Sequence, residues 1–207
     1  MKFPSRGLYA ITQTEEKTSD SLIAEVASAI KGGACIIQYR DKLATDQQAF
    51  YRASKLQALC KQHKIPLIIN DDVELAYRVN ADGVHLGKDD GSIALARKRL
   101  GLNAIIGLSC YNNIDLAKNA ASEGADYVAF GRFFPSTSKP LAAPADVETL
   151  TLAKKQIKVP IVAIGGILPE NGQQLLDYGA DILAVIGGVF AHDPEQSAFK
   201  YQKLFTH

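Results

Sequence analysis

Short apolar runs alternate with longer amphipathic ones along this chain, and the alternation repeats about eight times. The strand-like runs are Gly7–Thr12, Ala34–Gln38, Pro66–Asn70, Gly83–Leu86, Ala104–Ser109, Tyr127–Gly131, Ile161–Gly165 and Ile182–Ile186. They are continuously apolar, as expected of parallel strands covered on both faces. Helical patterns fill the gaps: Ser19–Lys31, Asp46–His63, Val73–Val79, Ser92–Leu100, Asn113–Glu123, Val147–Ile157, Glu170–Tyr178 and Pro194–Phe205. Ser19 or Asp20, Asp46, Asp72 and Asn113 are the expected N-caps. Helix after helix ends in a short Gly-Ala-Asp-like turn (Gly32–Ala34, Asn80–Asp82, Gly124–Asp126, Gly179–Asp181), and a strand follows at once. Gly or Asn there closes a helix in the left-handed conformation, and the recurrence makes the units alike. The pattern predicts one α/β domain over residues 1–207, a single small (β/α)8 TIM barrel. An open doubly wound sheet is the alternative, and it would place a ligand at a switch between two strands.

Charge narrows the class of partner. The chain has 23 basic and 22 acidic side chains in 207 residues, so any anion binding must be local. A nucleic-acid footprint or an anionic membrane surface is not expected from that balance. No apolar run is long enough to span a bilayer, and the first residues lack a signal-peptide core. Three cysteines, Cys35, Cys60 and Cys110, have no paired metal-ligand spacing. With Cys35 read as a buried strand residue and Cys60 in a helix, they predict reduced thiols in a cytoplasmic protein. The outer helix faces give no clear apolar patch, which leaves a homodimer open.

In a barrel, chemistry gathers where the strands end and the following loops begin. Those positions hold Gln38, Arg40 and Lys42 after the second strand, and Asn70 and Asp71 after the third. Lys88, Asp89 and Asp90 follow the fourth and Ser109 closes the fifth, while Ser136, Ser138 and Lys139 follow the sixth. Gly165-Gly166 and Gly187-Gly188 follow the last two. Gln38, Arg40 and Lys42 alternate, so they share a face if the strand geometry continues, although a strand end meeting solvent gathers charge too. A guanidinium fork and an ammonium suit a phosphate or diphosphate. Asp71 and Asp90 can hold one Mg2+ between them, since Mg2+ takes one or two carboxylates plus phosphate oxygens and water. Each could instead cap a helix. Pro135–Pro140 combines hydroxyls and an ammonium suited to phosphate oxygens, or is a Ser-rich turn; its continuation to Pro144 is long enough for a lid. Gly-Gly after the last two strands lets backbone amides approach an anion. His85 reads as a hydrogen-bonded core residue, Tyr9 as rim or packing, and His63, His192 and His207 as surface. Arg132 fits a ligand contact or a solvated loop charge equally.

Taken in order, GLYAIT, IIQYRDK, IINDD, ADGVHLGKDD, IIGLS, GADYVAFGRFFPSTSK, AIGGI and GADILAVIGG resemble the thiamine-phosphate synthase (thiamine-phosphate pyrophosphorylase) family over essentially the whole chain. The resemblance implies a transferase of thiamine biosynthesis. Its reaction joins 4-amino-5-hydroxymethyl-2-methylpyrimidine diphosphate to 4-methyl-5-(2-phosphoethyl)thiazole, or a carboxylated form, with Mg2+. It also implies that Gln38 meets the pyrimidine and that Arg40, Lys42, Asn70 and Lys139 hold the diphosphate. Ser109 would contact the same substrate, and Asp71 and Asp90 would bind the metal. Ser136 and Ser138, with backbone at Gly166, Ile186 and Gly187, would hold the thiazole phosphate. Three departures stand out: Ser at 136 and 138 for the usual Thr, Lys88 for a frequent Gln, and Gly187 for a frequent Ser. The reaction looks dissociative and requires no general base in bond formation, in keeping with a rim that offers no obvious catalytic His. A related thiazole tautomerase is the nearest rival, but that group uses a His just after the fifth strand, where this chain has Ser109-Cys110-Tyr111. A barrel that only binds thiazole or thiamine phosphate is the rival of another class. A phosphosugar epimerase would want metal-binding His or an acid–base carboxylate pair.

Overall fold

The computed structural model describes residues 1–14, 17–87, 90–135 and 143–206. Eight parallel strands close into a ring in sequence order, β1 (Gly7–Ile11), β2 (Ala34–Tyr39), β3 (Leu67–Asn70), β4 (Gly83–Leu86), β5 (Ile105–Tyr111), β6 (Tyr127–Phe130), β7 (Ile161–Ile164) and β8 (Ile182–Val185). β8 pairs back onto β1, so the sheet has no edge and the open-sheet alternative is excluded. The helices are α1 (Ser19–Lys31), α2 (Asp46–His63), α3 (Val73–Arg78), α4 (Ile93–Leu100), α5 (Ile114–Ser122), α6 (Glu148–Gln156), α7 (Pro169–Asp177), α8 (Gly187–Phe190) and α9 (Pro194–Lys203). Among the described residues, no helix is long and apolar enough to cross a membrane.

The strand pleat separates two cores. Leu8, Ile37, Leu67, Val84, Ile106 and Val128 face outward and pack under the helices. Tyr9, Ile36, Ile68, Ile105, Tyr127 and Ile182 face inward and fill the barrel. A filled interior needs room for its largest ring. Gly107 supplies it, since a Cβ there would lie 2.0 Å from Cζ of Tyr127.

The Ala-Asp that recurs before β4, β6 and β8 has a physical cause. The amides of Asp82, Asp126 and Asp181 donate to the carbonyls of Leu67, Ile106 and Ile161, at 3.0, 2.7 and 2.8 Å. Each carboxylate accepts the amide of that same residue in return, at 3.0, 2.8 and 2.9 Å. Carboxylates therefore close the N-terminal rim and leave the opposite rim free for ligands.

Several local expectations shift. The caps of α1 and α2 are Thr18 and Thr45, ahead of the expected Ser19 or Asp20 and Asp46. Thr45 completes a reciprocal box with Gln48, which Asp46 at the first helical position has no geometry to form. Asp72, Ser92 and Asn113 do cap their helices. Gly187-Gly188, expected as loop, opens the short helix α8. Cys35 is partly exposed rather than buried, because its thiol lies under Gly7 at the open end of β1.

Candidate functional site

A cavity of about 760 Å³ opens at the C-terminal ends of the strands. That is within the range of small-ligand sites. Gln38, Arg40, Lys42, Asn70, Asp71 and Asp90 line one side. Ser109, Gly166, Ile186 and Gly187 line it as well. Ser136, Ser138, Lys139 and the central part of the expected lid lie outside the described residues, as do Lys88 and Asp89.

Strand parity places the first group. Ile36 and Gln38 are inward in β2, and Arg40 and Lys42 continue the alternation beyond the strand end. The backbone of Arg40 is pinned by Thr12, whose Oγ1 accepts from the Arg40 amide at 2.9 Å and donates to its carbonyl at 3.1 Å. β3 ends at Asn70. Asp71 then adopts φ +63, left-handed for a residue with a Cβ, while its amide donates to the carbonyl of His85 at 2.8 Å. Such a backbone costs about 1 kcal/mol for a residue with a Cβ.

Asp71 and Asp90 meet across the mouth. Burial, a direct side-chain hydrogen bond with Asp90 and its charge together push the Asp71 carboxyl up to about 6. Lys42 acts against them, its Nζ 3.9 Å from Asp71 Oδ2. Asp90 Oδ2 accepts the amide of Gly87 at 2.7 Å, and a Cβ at Gly87 would lie 2.6 Å from that oxygen. Two carboxylates forced together with one distant ammonium form an under-neutralised anionic pair, the donor set a hard divalent cation favours. Among the described residues, no cluster of three or more His, Cys, Asp or Glu side chains forms.

Below the mouth runs a chain of polar side chains that spacing alone did not disclose. Gln38 Nε2 donates to Tyr9 Oη at 2.8 Å, and Tyr9 Oη lies 3.0 Å from Tyr127 Oη. Tyr127 Oη is 2.9 Å from His85 Nδ1, and His85 Nε2 is 2.9 Å from Ser109 Oγ. Burial holds the Tyr9 and Tyr127 phenols far above their ordinary range, so both stay protonated. His85 is thus the hydrogen-bonded interior residue expected, and the chain joins Gln38 to Ser109. Strand parity was the only sequence signal for it.

On the other side, loops after β6 and β7 run together. Phe133 and Phe134 amides donate to Ile164 and Gly165 carbonyls at 3.3 and 3.0 Å. A Cβ at Gly166, which has φ +64, would sit 2.3 Å from the Pro135 carbonyl oxygen. Only glycine permits that approach. Around Gly187, by contrast, the nearest atom to an added Cβ is Gln13 Oε1 at 3.8 Å, so a side chain would fit. Arg132 also lines the cavity.

Comparison with known proteins gives the family. Residues 8–189 match the family described as thiamine monophosphate synthase. The chain is 50% identical over 201 residues to thiamine-phosphate synthase of Nitrosococcus oceani, covering 97% of this chain and 93% of that protein. It is 49% identical over 205 residues to thiamine-phosphate synthase of Thiobacillus denitrificans, covering 99% and 96%. Among solved structures, thiamine phosphate pyrophosphorylase from Pyrococcus furiosus superposes with a TM-score of 0.87 at 33% identity, over 97% of this chain and 95% of that one.

Proposed function

This chain belongs to the thiamine monophosphate synthase family, as an enzyme of the transferase class, and on that premise we propose how its mouth performs the reaction. The substrates are 4-amino-5-hydroxymethyl-2-methylpyrimidine diphosphate and 4-methyl-5-(2-phosphoethyl)thiazole, the latter in plain or carboxylated form. Diphosphate leaves the pyrimidine methylene with the C–O bonding pair, and the thiazole nitrogen attacks the resulting cation to give thiamine phosphate; a carboxylated thiazole would also lose its carboxylate as CO2, the bonding pair staying on the ring carbon and taking up a proton. Arg40, Lys42 and Asn70 hold the diphosphate, joined by Lys139. Gln38 and Ser109, tied through Tyr9, Tyr127 and His85, orient the pyrimidine. Gly166, Ile186 and Gly187 backbone, with Ser136 and Ser138, receive the thiazole phosphate. The roles of Ser136, Ser138 and Lys139 rest on the resemblance alone.

Asp71 and Asp90 would hold Mg2+, which supplies positive charge to the departing diphosphate when bound. The protein's own contribution is preorganised charge: fixed cations facing a group whose negative charge grows as the bond breaks. Ile11, Ala129, Val162, Ile164 and Ala184 line the cavity beside that polar chain, and this apolar part of the wall limits capture of the pyrimidine cation by water.

The observation that carries the reading is the meeting of an under-neutralised carboxylate pair with Arg40 and Lys42 at one mouth. Incubation with both substrates, with and without Mg2+, tests it. Metal-dependent release of diphosphate with formation of thiamine phosphate is expected. Binding without turnover would favour a binding barrel, and aromatisation of a thiazole tautomer would favour the tautomerase.

A further inference from the structure

Alternation along IIQYRDK sends Gln38, Arg40 and Lys42 to the mouth, and so sends Tyr39 and Asp41 the other way. Asp41 is an acid between two proposed anion-binding cations, yet its side chain is only 3% exposed. Its Oδ1 accepts from the amides of Leu43 and Ala44 at 3.2 and 3.1 Å, closing the turn that carries Lys42. Its Oδ2 accepts from Tyr39 Oη at 3.2 Å and from Arg52 Nη1 at 2.6 Å. Arg52 projects from α2 and is 11% exposed. Its Nε donates to Ser19 Oγ at 3.1 Å and its Nη2 to the Lys17 carbonyl at 2.7 Å. One buried ion pair therefore ties β2, α2 and the β1–α1 connection together directly behind the two cations.

A pair this buried is a poor device for stability alone, because desolvating both ions offsets most of their attraction. It does two other things. Its hydrogen bonds fix the backbone on either side of Lys42, and Arg52 neutralises Asp41 so that this acid does not compete with a ligand for Arg40 and Lys42. We propose that Asp41, held by Arg52, is a positioning residue that orders the Arg40–Lys42 turn before the diphosphate arrives. Binding then need not freeze that backbone, and preorganisation of this kind appears as affinity. The inference rests on the diphosphate reading of the mouth and adds to it the part that holds the cations in place.

The test is calorimetric titration of Mg2+ and inorganic diphosphate into wild type, Asp41→Asn and Arg52→Lys, with steady-state kinetics beside it. Asp41→Asn is expected to weaken diphosphate binding and to raise KM for the pyrimidine diphosphate by about tenfold or more. KM for the thiazole phosphate should stay within about twofold, a split that general loss of structure does not produce. Arg52→Lys keeps the charge and loses the Ser19 and Lys17 contacts, so an intermediate effect of the same selectivity is expected. In the ligand-free wild type, the Leu43 and Ala44 amides should be protected from hydrogen exchange. Equal effects on both substrates, unchanged diphosphate affinity, or unprotected amides before ligand is added overturn the inference. A wild type that ignores Mg2+ and diphosphate instead overturns the reading of the mouth.

Discussion

Replacing Asp71 by Asn should stabilise this protein and disable it. In the wild type, Asp71 is left-handed, one-third exposed, and in direct contact with Asp90. Its carboxyl titrates at about 6 against an ordinary 3.8, so the folded state resists losing that proton. The sign follows: the penalty is full above the folded value and vanishes below the ordinary one. At pH 8 that difference corresponds to at most about 3 kcal/mol. Solvent reaches the side chain, and screening cuts the figure to about 1–1.5 kcal/mol. Asn removes the repelled charge and tolerates the left-handed backbone well. For a chain of this size the gain is about 3–5 °C in Tm at pH 8 without metal, shrinking toward zero near pH 4. Turnover should fall about a hundredfold or more, because the proposed Mg2+ would lose one of its two carboxylates. Calorimetric melts at both pH values with and without Mg2+, beside a diphosphate-release assay, read all of this. Loss of stability at pH 8, or a Mg2+-induced Tm rise that survives the substitution, would refute the reasoning.

Other predictions concern the two rims. Asp126→Ala should cost about 1–3 kcal/mol, because the Ile106 amide and Arg97 lose their acceptor, with both KM values unchanged. Gly187→Ser has room, and a hydroxyl beside the proposed thiazole-phosphate amides should lower KM for that substrate about fivefold or more. Burial alone would raise the Asp41 carboxyl, but hydrogen bonds from Arg52, the Leu43 amide and Thr14 hold it below its ordinary range. The stability it contributes is present above that range and lost as pH falls through the lowered value, so Asp41→Asn should flatten the acid limb of a pH–stability curve.

The barrel was readable because parallel strands buried on both faces are written as apolar runs, and Gly-Ala-Asp turns punctuate them. Run ends were less readable: β5 extends to Tyr111, two residues past the expected end, and α6 starts one residue late at Glu148. The starts of α1 and α2 fell where expected, but the cap is the Thr before each: Thr18 accepts the Ser21 amide, and Thr45 makes a reciprocal box with Gln48. The cationic face of IIQYRDK was legible from its period of two. What that period could not tell was what stood behind it. Arg52 is eleven residues from Asp41, and Tyr9 is 118 from Tyr127, so both contacts exist only once helices dock and the ring closes. His85 reads from the sequence as a hydrogen-bonded core residue and Tyr9 as either rim or packing; closure of the barrel makes both links between Gln38 and Ser109.

The central claim is that Asp71 and Asp90 hold a metal for a diphosphate gripped by Arg40 and Lys42. A crystal grown with Mn2+ and inorganic diphosphate, measured for anomalous scattering, addresses it in one step. The account predicts a peak bridging the two carboxylates, with diphosphate oxygens on the metal and on both cations. A peak elsewhere, or diphosphate lodged instead against Gly166 and Gly187, would contradict it.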